Sequence, residues 1–191
     1  ANSQTLVAAA PQNQLGGWQG TNNVTRGIKT GAFTVFGEYP EQRLIEAKPI
    51  LSGRHINNQD IADSRKIAVI GTRVKELLFA SDEDPVGGSI RINGVNFVVV
   101  GVFGSMRSGE DAEEDLQSIR IPFSTFNQAF HYGEEVGWLC VLFDEKVHAD
   151  SAATEIMTVL KSRLSIHPHD NRAFGHWTVA EEFEQIKSVF G

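Results

Sequence analysis

Short apolar runs separated by polar turns dominate this chain, and few of them hold a helical period. Val24–Ile28 and Ala32–Phe36 flank a glycine-containing turn and predict a hairpin. Lys66–Ile70 reads as a strand. Thr72–Phe79 reads as a short helix with Val74, Leu77 and Leu78 on one face, clamped onto a sheet, and Gly71 is expected to turn the chain between the two. Pro85 and two glycines stop that helix. Ile90–Ile92 and Val95–Val102 then enclose Asn93-Gly94, the pair preferred where both turn residues need positive φ. The run 118–123 is a strand ended at Pro122, and 123–130 a turn or two of helix with Phe123, Phe126 and Phe130 on one face. Gly137–Asp144 is apolar throughout, the pattern of a buried central strand. Asp150 or Ser151 caps a helix striped by Ala153, Ile156, Met157, Leu160 and Leu164. Residues 176–179 form a short strand. Thr178 and Glu181 make a capping box for a last helix carrying Val179, Phe183, Ile186 and Phe190.

Three segments lack such periods. Residues 1–22 are rich in Gln, Asn, Gly and Ala. Residues 43–64 form a polar connector anchored by Leu44, Ile45, Ile50, Leu51, Ile56 and Ile61. Residues 104–117 read as an acidic loop. Hairpins interspersed with a few helices predict an α+β fold rather than a doubly wound sheet.

Composition narrows the function. The 191 residues are 41% hydrophobic and 21% charged, ordinary for a globular protein of one core or two small ones. A net charge of −7 without a basic run argues against a nucleic-acid partner, which would require cations facing phosphates. Cys140 stands alone, so it forms no internal disulfide and reads as a small core residue. The longest apolar runs are strand-length, and the chain opens on Ala without a signal peptide, as expected of a processed or excised piece.

The strand–glycine–helix unit at 65–79 invites a nucleotide reading, but its spacing refuses it. Neither the three glycines of a dinucleotide fold nor the Gly-Lys-Ser/Thr end of a P-loop occurs, and Arg73 and Lys75 would crowd a phosphate. His167, His169 and Asp170, with His176 nearby, form the best candidate metal cluster, yet two histidines two apart on a loop do not converge by default. The acidic run Glu110, Asp111, Glu113, Glu114 and Asp115 lacks the alternating ligand pattern of a calcium loop. No nucleophile elbow is present. The residues therefore assign no catalytic, cofactor-binding or metal position, leave substrate or partner contacts open, and point to an interaction or mechanical module rather than an enzyme.

A linked set of elements across Gly53–Phe103 resembles a known family. Gly53-Arg54, Asp60, the strand Ile67–Gly71, Leu78-Phe79, Asp84-Pro85-Val86-Gly87, Ile90–Ile92 and Val98–Val102 occur in the order and spacing of the extracytoplasmic core domain of MacB-type ABC transporter permeases. His55 and Gly88 depart from the usual apolar and Lys residues of that pattern.

The resemblance implies a two-lobed periplasmic core domain between the first two membrane helices of a four-helix permease. A porter-like α/β lobe would comprise 1–22 and 135–180, its N-terminal half truncated. An inserted β-rich lobe would span 23–134, and 181–191 would start a stalk helix leading to a membrane span. It further implies a non-catalytic domain at the inner membrane, facing the periplasm, that transmits ATP-driven motion for substrate export or release. Its partners would be a second permease copy in a homodimer and an ATP-binding subunit or domain holding the nucleotide, so that no cofactor sits in this chain. A periplasmic adaptor and outer-membrane channel, or a lipoprotein carrier, would complete the set. The alternatives are a partner-recruiting domain of a lipoprotein-releasing or FtsX-like permease and, in a different class, a free-standing metal- or ligand-binding module.

Overall fold

The computed structural model describes residues 6–17, 20–144, 149–163, 165–167, 169–170 and 175. Nine strands and six helices alternate along them: β1 Leu6–Gln14, β2 Asn22–Arg26, β3 Lys29–Glu38, α1 Gln42–Ile45, β4 Ile50–Gly53, α2 Asn58–Ala62, β5 Ile67–Gly71, α3 Thr72–Leu78, β6 Ser89–Ile92, β7 Val95–Phe103, α4 Glu110–Leu116, β8 Ser118–Pro122, α5 Phe123–Ala129, β9 Trp138–Phe143 and α6 Ala149–Arg163. The mixture is α+β, with sheet predominating. By contacts the chain divides into a compact unit of residues 8–141 and a second comprising 1–7 and 142–191. The strand at 176–179 and the final capped helix lie outside the described residues.

The larger unit is built around a closed ring of strands. Strand neighbours run β2-β6-β7-β5-β8-β3-β1-β9, and an additional β2–β3 pairing joins six of them, β2 through β3, into a barrel. Closure leaves those six strands without the open ladder that an isolated sheet edge presents. Period-2 alternation then decides what fills the interior. Val24, Phe33, Val35, Ala68, Ile70, Ile90, Ile92, Phe97, Val99, Ile119 and Ile121 share one buried cluster, which Val74, Leu78 and Phe79 from α3 and its end, and Phe126 from α5, complete. Leu77 departs from expectation: it is 47% exposed, because the narrow contact face of this seven-residue helix reaches only Val74 and Leu78. β5 is buried along its whole length, since Ile67 and Val69 point outward into a second cluster with Ile56 and Phe103.

The hairpins form as predicted, with one shift. Asn93 and Gly94 take φ of 44° and 89° and join Ile92 to Val95 in register, as the type I′ turn requires. The first hairpin turns earlier than expected, at Gly27-Ile28, with Arg26 paired to Lys29 and Gly27 at φ 59°. Gly71 has an ordinary φ of −69°, so it is not needed for turning. Its missing side chain instead lets the β5–α3 junction approach α4, because a methyl there would overlap the Leu116 carbonyl.

The aperiodic segments hold more structure than their composition suggests. Residues 6–14 form β1, which ends on the polar run Gln12-Asn13-Gln14 and pairs antiparallel to β3 with Gln12 opposite Glu38. The acidic run is a helix, α4, whose Glu110, Asp111 and Glu113 sit in its first turn where the macrodipole favours anions. The connector 43–64 contains α1, β4 and α2; Ile56 is buried, while Leu44 and Leu51 are exposed. β9 ends the strand order and is half-buried at most positions, not the buried central strand its apolar run suggested.

Candidate functional site

The resemblance residues converge on one clasp. Gly53 sits at φ 74°, where a methyl would overlap the Val100 carbonyl of the neighbouring β7. Gly101, opposite it in register, likewise leaves no room for a methyl beside the Arg54 carbonyl. This close approach delivers Arg54, whose two terminal nitrogens donate to the two Asp60 carboxylate oxygens at 2.6 and 3.0 Å. Asp60 has a fully buried side chain and also closes a capping box: it accepts from the Asn57 N–H while its own N–H donates to the Asn57 side chain, both at 3.0 Å. Arg65 adds a second cation 3.6 Å away. Burial alone would raise the Asp60 pKa; the Arg54 hydrogen bonds, the Asn57 amide and the two guanidinium charges outweigh it and hold the carboxyl below its usual range. Ser124 and Thr125 of α5 donate to the Ile61 and Arg65 carbonyls and so anchor α2 and its end. Asp84-Pro85-Val86-Gly87 is a turn, in which Val86 N–H donates to Asp84 and Gly87 N–H to the Val99 carbonyl. These residues do structural work, holding β4, β7, α2 and α5 together.

A second cluster lies on the outward face of β3 and β8. Strand alternation sends Ile119 and Ile121 into the barrel and leaves Arg120 outside, only 5% exposed, with its guanidinium 4.1 Å over the Phe36 ring. Register places Phe36 beside Arg120 and Gln12 beside Glu38. Glu38 accepts from Gln12 and Arg120, each at 3.3 Å, and Gln12 in turn accepts from the Trp138 indole at 2.8 Å. The segment after β3 folds over this row, bringing Lys48 to Glu46 at 2.9 Å and to Asp115 at 3.1 Å. Ser105 also donates to Asp115.

Glu38, Glu46, Lys48 and Arg120 of this cluster, with Gln42, Arg43, His55, Ile56, Val69 and Phe103, line a narrow open cleft of about 20 Å³. Burial pushes the Glu38 carboxyl up, against the opposing charge of Arg120. Glu46, where burial is overcome by Arg120 and Lys48, is held down. Burial and the Arg43 charge lower His55. The Cys140 thiol is pushed up by burial, an effect the Gln42 side chain partly offsets. Sequence reasoning missed this cluster. Its one visible trace was Arg120, a cation inside the apolar strand Ser118–Pro122.

Among the described residues the sequence candidates for metal do not converge. Glu110, Asp111, Glu113 and Glu114 are exposed on α4, and Asp115 turns into the Lys48 and Arg120 network. The His167 and His169 rings lie 5.6 Å apart on an exposed turn, and His176 is outside the described residues. Among the described residues no three His, Cys, Asp or Glu side chains converge on a common point.

The sequence profile of the MacB-like periplasmic core domain matches residues 1–159. The chain belongs to this family. Its relatives include the macrolide export ATP-binding/permease protein MacB of Rhodospirillum rubrum, 27% identical over 133 residues, which are 68% of this chain and 20% of that protein. The pyoverdine export ATP-binding/permease protein PvdT of Pseudomonas syringae is 34% identical over 77 residues, 40% of this chain and 12% of that one. The chain thus spans about a fifth or less of the length of these relatives. Among solved structures, the periplasmic region of MacB from Actinobacillus actinomycetemcomitans has the same fold, with a TM-score of 0.71 at 19% identity over 86% of this chain and 70% of that one. The extracellular domain of the transporter YknZ from Gram-positive bacteria matches with TM-score 0.71 at 14% identity, over 86% and 80%. This MacB-like domain is therefore the periplasmic domain of an ABC permease, as its Gly53–Phe103 elements implied.

Proposed function

We propose that this MacB-like domain is a non-catalytic coupling element of an ABC exporter. Within the full-length protein it works as a homodimer at the inner membrane and relays ATP-driven motion to the periplasmic side. The family match over residues 1–159 carries the reading, supported by relatives whose names join ATP binding and permease in one export protein. The barrel suits a relay: a closed, fully packed ring moves as one body, since close-packed interiors deform little. Nucleotide binds a separate ATPase domain or subunit, and this chain supplies no cofactor site. In this reading residues 1–22 and 135–180 form the porter-like lobe, 23–134 the inserted β-rich lobe and 181–191 the start of a stalk. A periplasmic adaptor and an outer-membrane channel are the expected further partners. Export is favoured over lipoprotein release because the relatives named above are exporters.

A reporter inserted after Ser81, in an exposed turn, tests the placement in the full-length protein. Alkaline phosphatase, which matures only outside the cytoplasm, is expected to be active there. An inactive phosphatase with a fluorescent cytoplasmic reporter at the same site would contradict the reading.

A further inference from the structure

Three carboxylates outside β3 and β8 share two bases. Lys48 lies 2.9 Å from Glu46 and 3.1 Å from Asp115, and Arg120 lies 3.3 Å from Glu38 and 4.0 Å from Asp115. Glu46 aside, these side chains are mostly buried. The other titratable neighbours do not restore the balance. Arg43 of α1 is exposed at the cleft, where water screens its charge. Burial and that same Arg43 charge lower His55, so it adds no cation, and burial pushes the Cys140 thiol of β9 up, so it adds no anion. An excess of negative charge in a buried cluster favours uptake of one proton.

Glu38 is the seat of that proton. Glu46 is held down, its burial outweighed by Arg120 and Lys48, while Asp115 faces both bases and accepts from Ser105. Glu38 makes two long contacts, 3.3 Å from Gln12 and 3.3 Å from Arg120, both to the same oxygen, Oε2. Burial, with the Glu46 charge nearby, pushes its carboxyl up. The oxygen that loses charge on protonation is therefore the one that holds Gln12, and Gln12 in turn accepts from the Trp138 indole at 2.8 Å. A hydrogen bond to a charged acceptor is about twice as strong as one to a neutral acceptor. We propose that Glu38 is a proton-operated latch: ionised, it fixes Gln12 for the Trp138 indole at the start of β9, and protonated in mildly acidic surroundings, it loosens that pairing. A periplasmic surface meets the acidity of the medium, so the latch would read the outside of the cell.

Nuclear magnetic resonance of the 191-residue chain, with ¹³C at glutamate carboxyls and ¹⁵N at tryptophan indoles, tests this between about pH 4 and about pH 8. The Glu38 carboxyl is expected to titrate above the ordinary glutamate range, and the Trp138 indole signal to shift with the same midpoint. In Glu38→Gln the Trp138 shift should vanish. In Gln12→Leu the Glu38 carboxyl should still titrate while the Trp138 signal stays in place, because the link between them is cut.

Stability carries the same signature. A carboxyl raised in the fold binds its proton more readily folded than unfolded, so ionised Glu38 is destabilising above its folded pKa and is relieved as pH falls through it. Glu38→Gln should melt a few degrees higher than the unchanged chain at neutral pH, and the gap should narrow as pH falls to about 4. A Glu38 midpoint within or below the ordinary glutamate range would overturn the proposal. So would a Trp138 signal that ignores the Glu38 titration, or one that still shifts in Glu38→Gln or Gln12→Leu. A lower melting temperature for Glu38→Gln at neutral pH would overturn it too, since the ionised Glu38 would then be a net support of the fold.

Discussion

Replacing Asp60 with Ala is expected to destabilise the domain by about 3 kcal/mol, lowering its melting temperature by roughly 10 °C. The substitution removes a bidentate charged hydrogen bond to Arg54, the reciprocal cap on α2 and the attraction of Arg65 at one stroke. A lost cap accounts for about 1 kcal/mol. The ion pairs contribute less than a fully buried pair would, because Arg54 and Arg65 remain 42% and 44% exposed and water screens them. Asp60→Asn retains an acceptor for the cap and should cost about half as much. Calorimetry of both variants measures this. A loss below about 0.5 kcal/mol for Asp60→Ala would mean that the clasp does not hold the fold.

The same residue sets a pH dependence. Its folded pKa lies below the unfolded value of about 4, so its stabilisation is fully present above that pH. It is lost as pH falls through the folded pKa, where the carboxyl protonates and Arg54 loses its partner. Asp60→Asn should therefore flatten the acid limb of the stability curve below about pH 4 relative to the unchanged chain.

Gly53→Ala is expected to be at least as damaging, roughly 3–4 kcal/mol, for two reasons that add. The left-handed φ of 74° costs an L-residue about 1–2 kcal/mol. The new methyl would also overlap the Val100 carbonyl and crowd the Gly101 Cα, both backbone atoms of β7 that cannot rotate away. Gly27→Ala isolates the first term: its φ is 59° and nothing lies within 4 Å of the added methyl. Denaturant unfolding should show about 1 kcal/mol for Gly27→Ala and a clearly larger loss for Gly53→Ala. Equal losses would mean that β4 and β7 can separate to admit a side chain.

What was legible in the sequence was local. Asn93-Gly94 announced its hairpin because two positive φ values are demanded within two residues. Ile67–Gly71 and Thr72–Leu78 announced themselves by burial on both faces and by a short helical stripe. β1 was hidden because its buried residues include Gln12, Asn13 and Gln14; Asn13 finds its partners across the fold, donating to Asn127 and to the Glu135 carbonyl. α4 was hidden because charges at a helix N-terminus look, one residue at a time, like a solvated loop. The barrel rests on β2–β3 and β3–β8 pairings, of which only the first joins neighbours in sequence. The Arg120 cleft was illegible for a related reason. Glu38, Gln42, Lys48 and Arg120 come from segments up to 82 residues apart, and no spacing rule connects them.

The resemblance residues acquired a physical meaning of their own. Gly53 and Gly101 allow two backbones to touch, Arg54 and Asp60 lock the turn that follows, and Gly71 seats the β5–α3 junction against Leu116. The strand–glycine–helix unit is thus a packing device at the barrel. A closed, packed barrel suits the proposed relay, and it makes the displacement of residues 8–141, rather than their internal deformation, the quantity to measure.

That displacement is accessible by pulsed electron paramagnetic resonance on the full-length protein in lipid nanodiscs, spin-labelled at Ser81→Cys with Cys140 replaced. Distances between the copies of the proposed homodimer, in the nucleotide-free state and after trapping with ATP and vanadate, read the motion directly. The coupling account predicts that the distance distribution shifts on trapping. An unchanged distribution, with ATP hydrolysis fully arrested by vanadate, would contradict it.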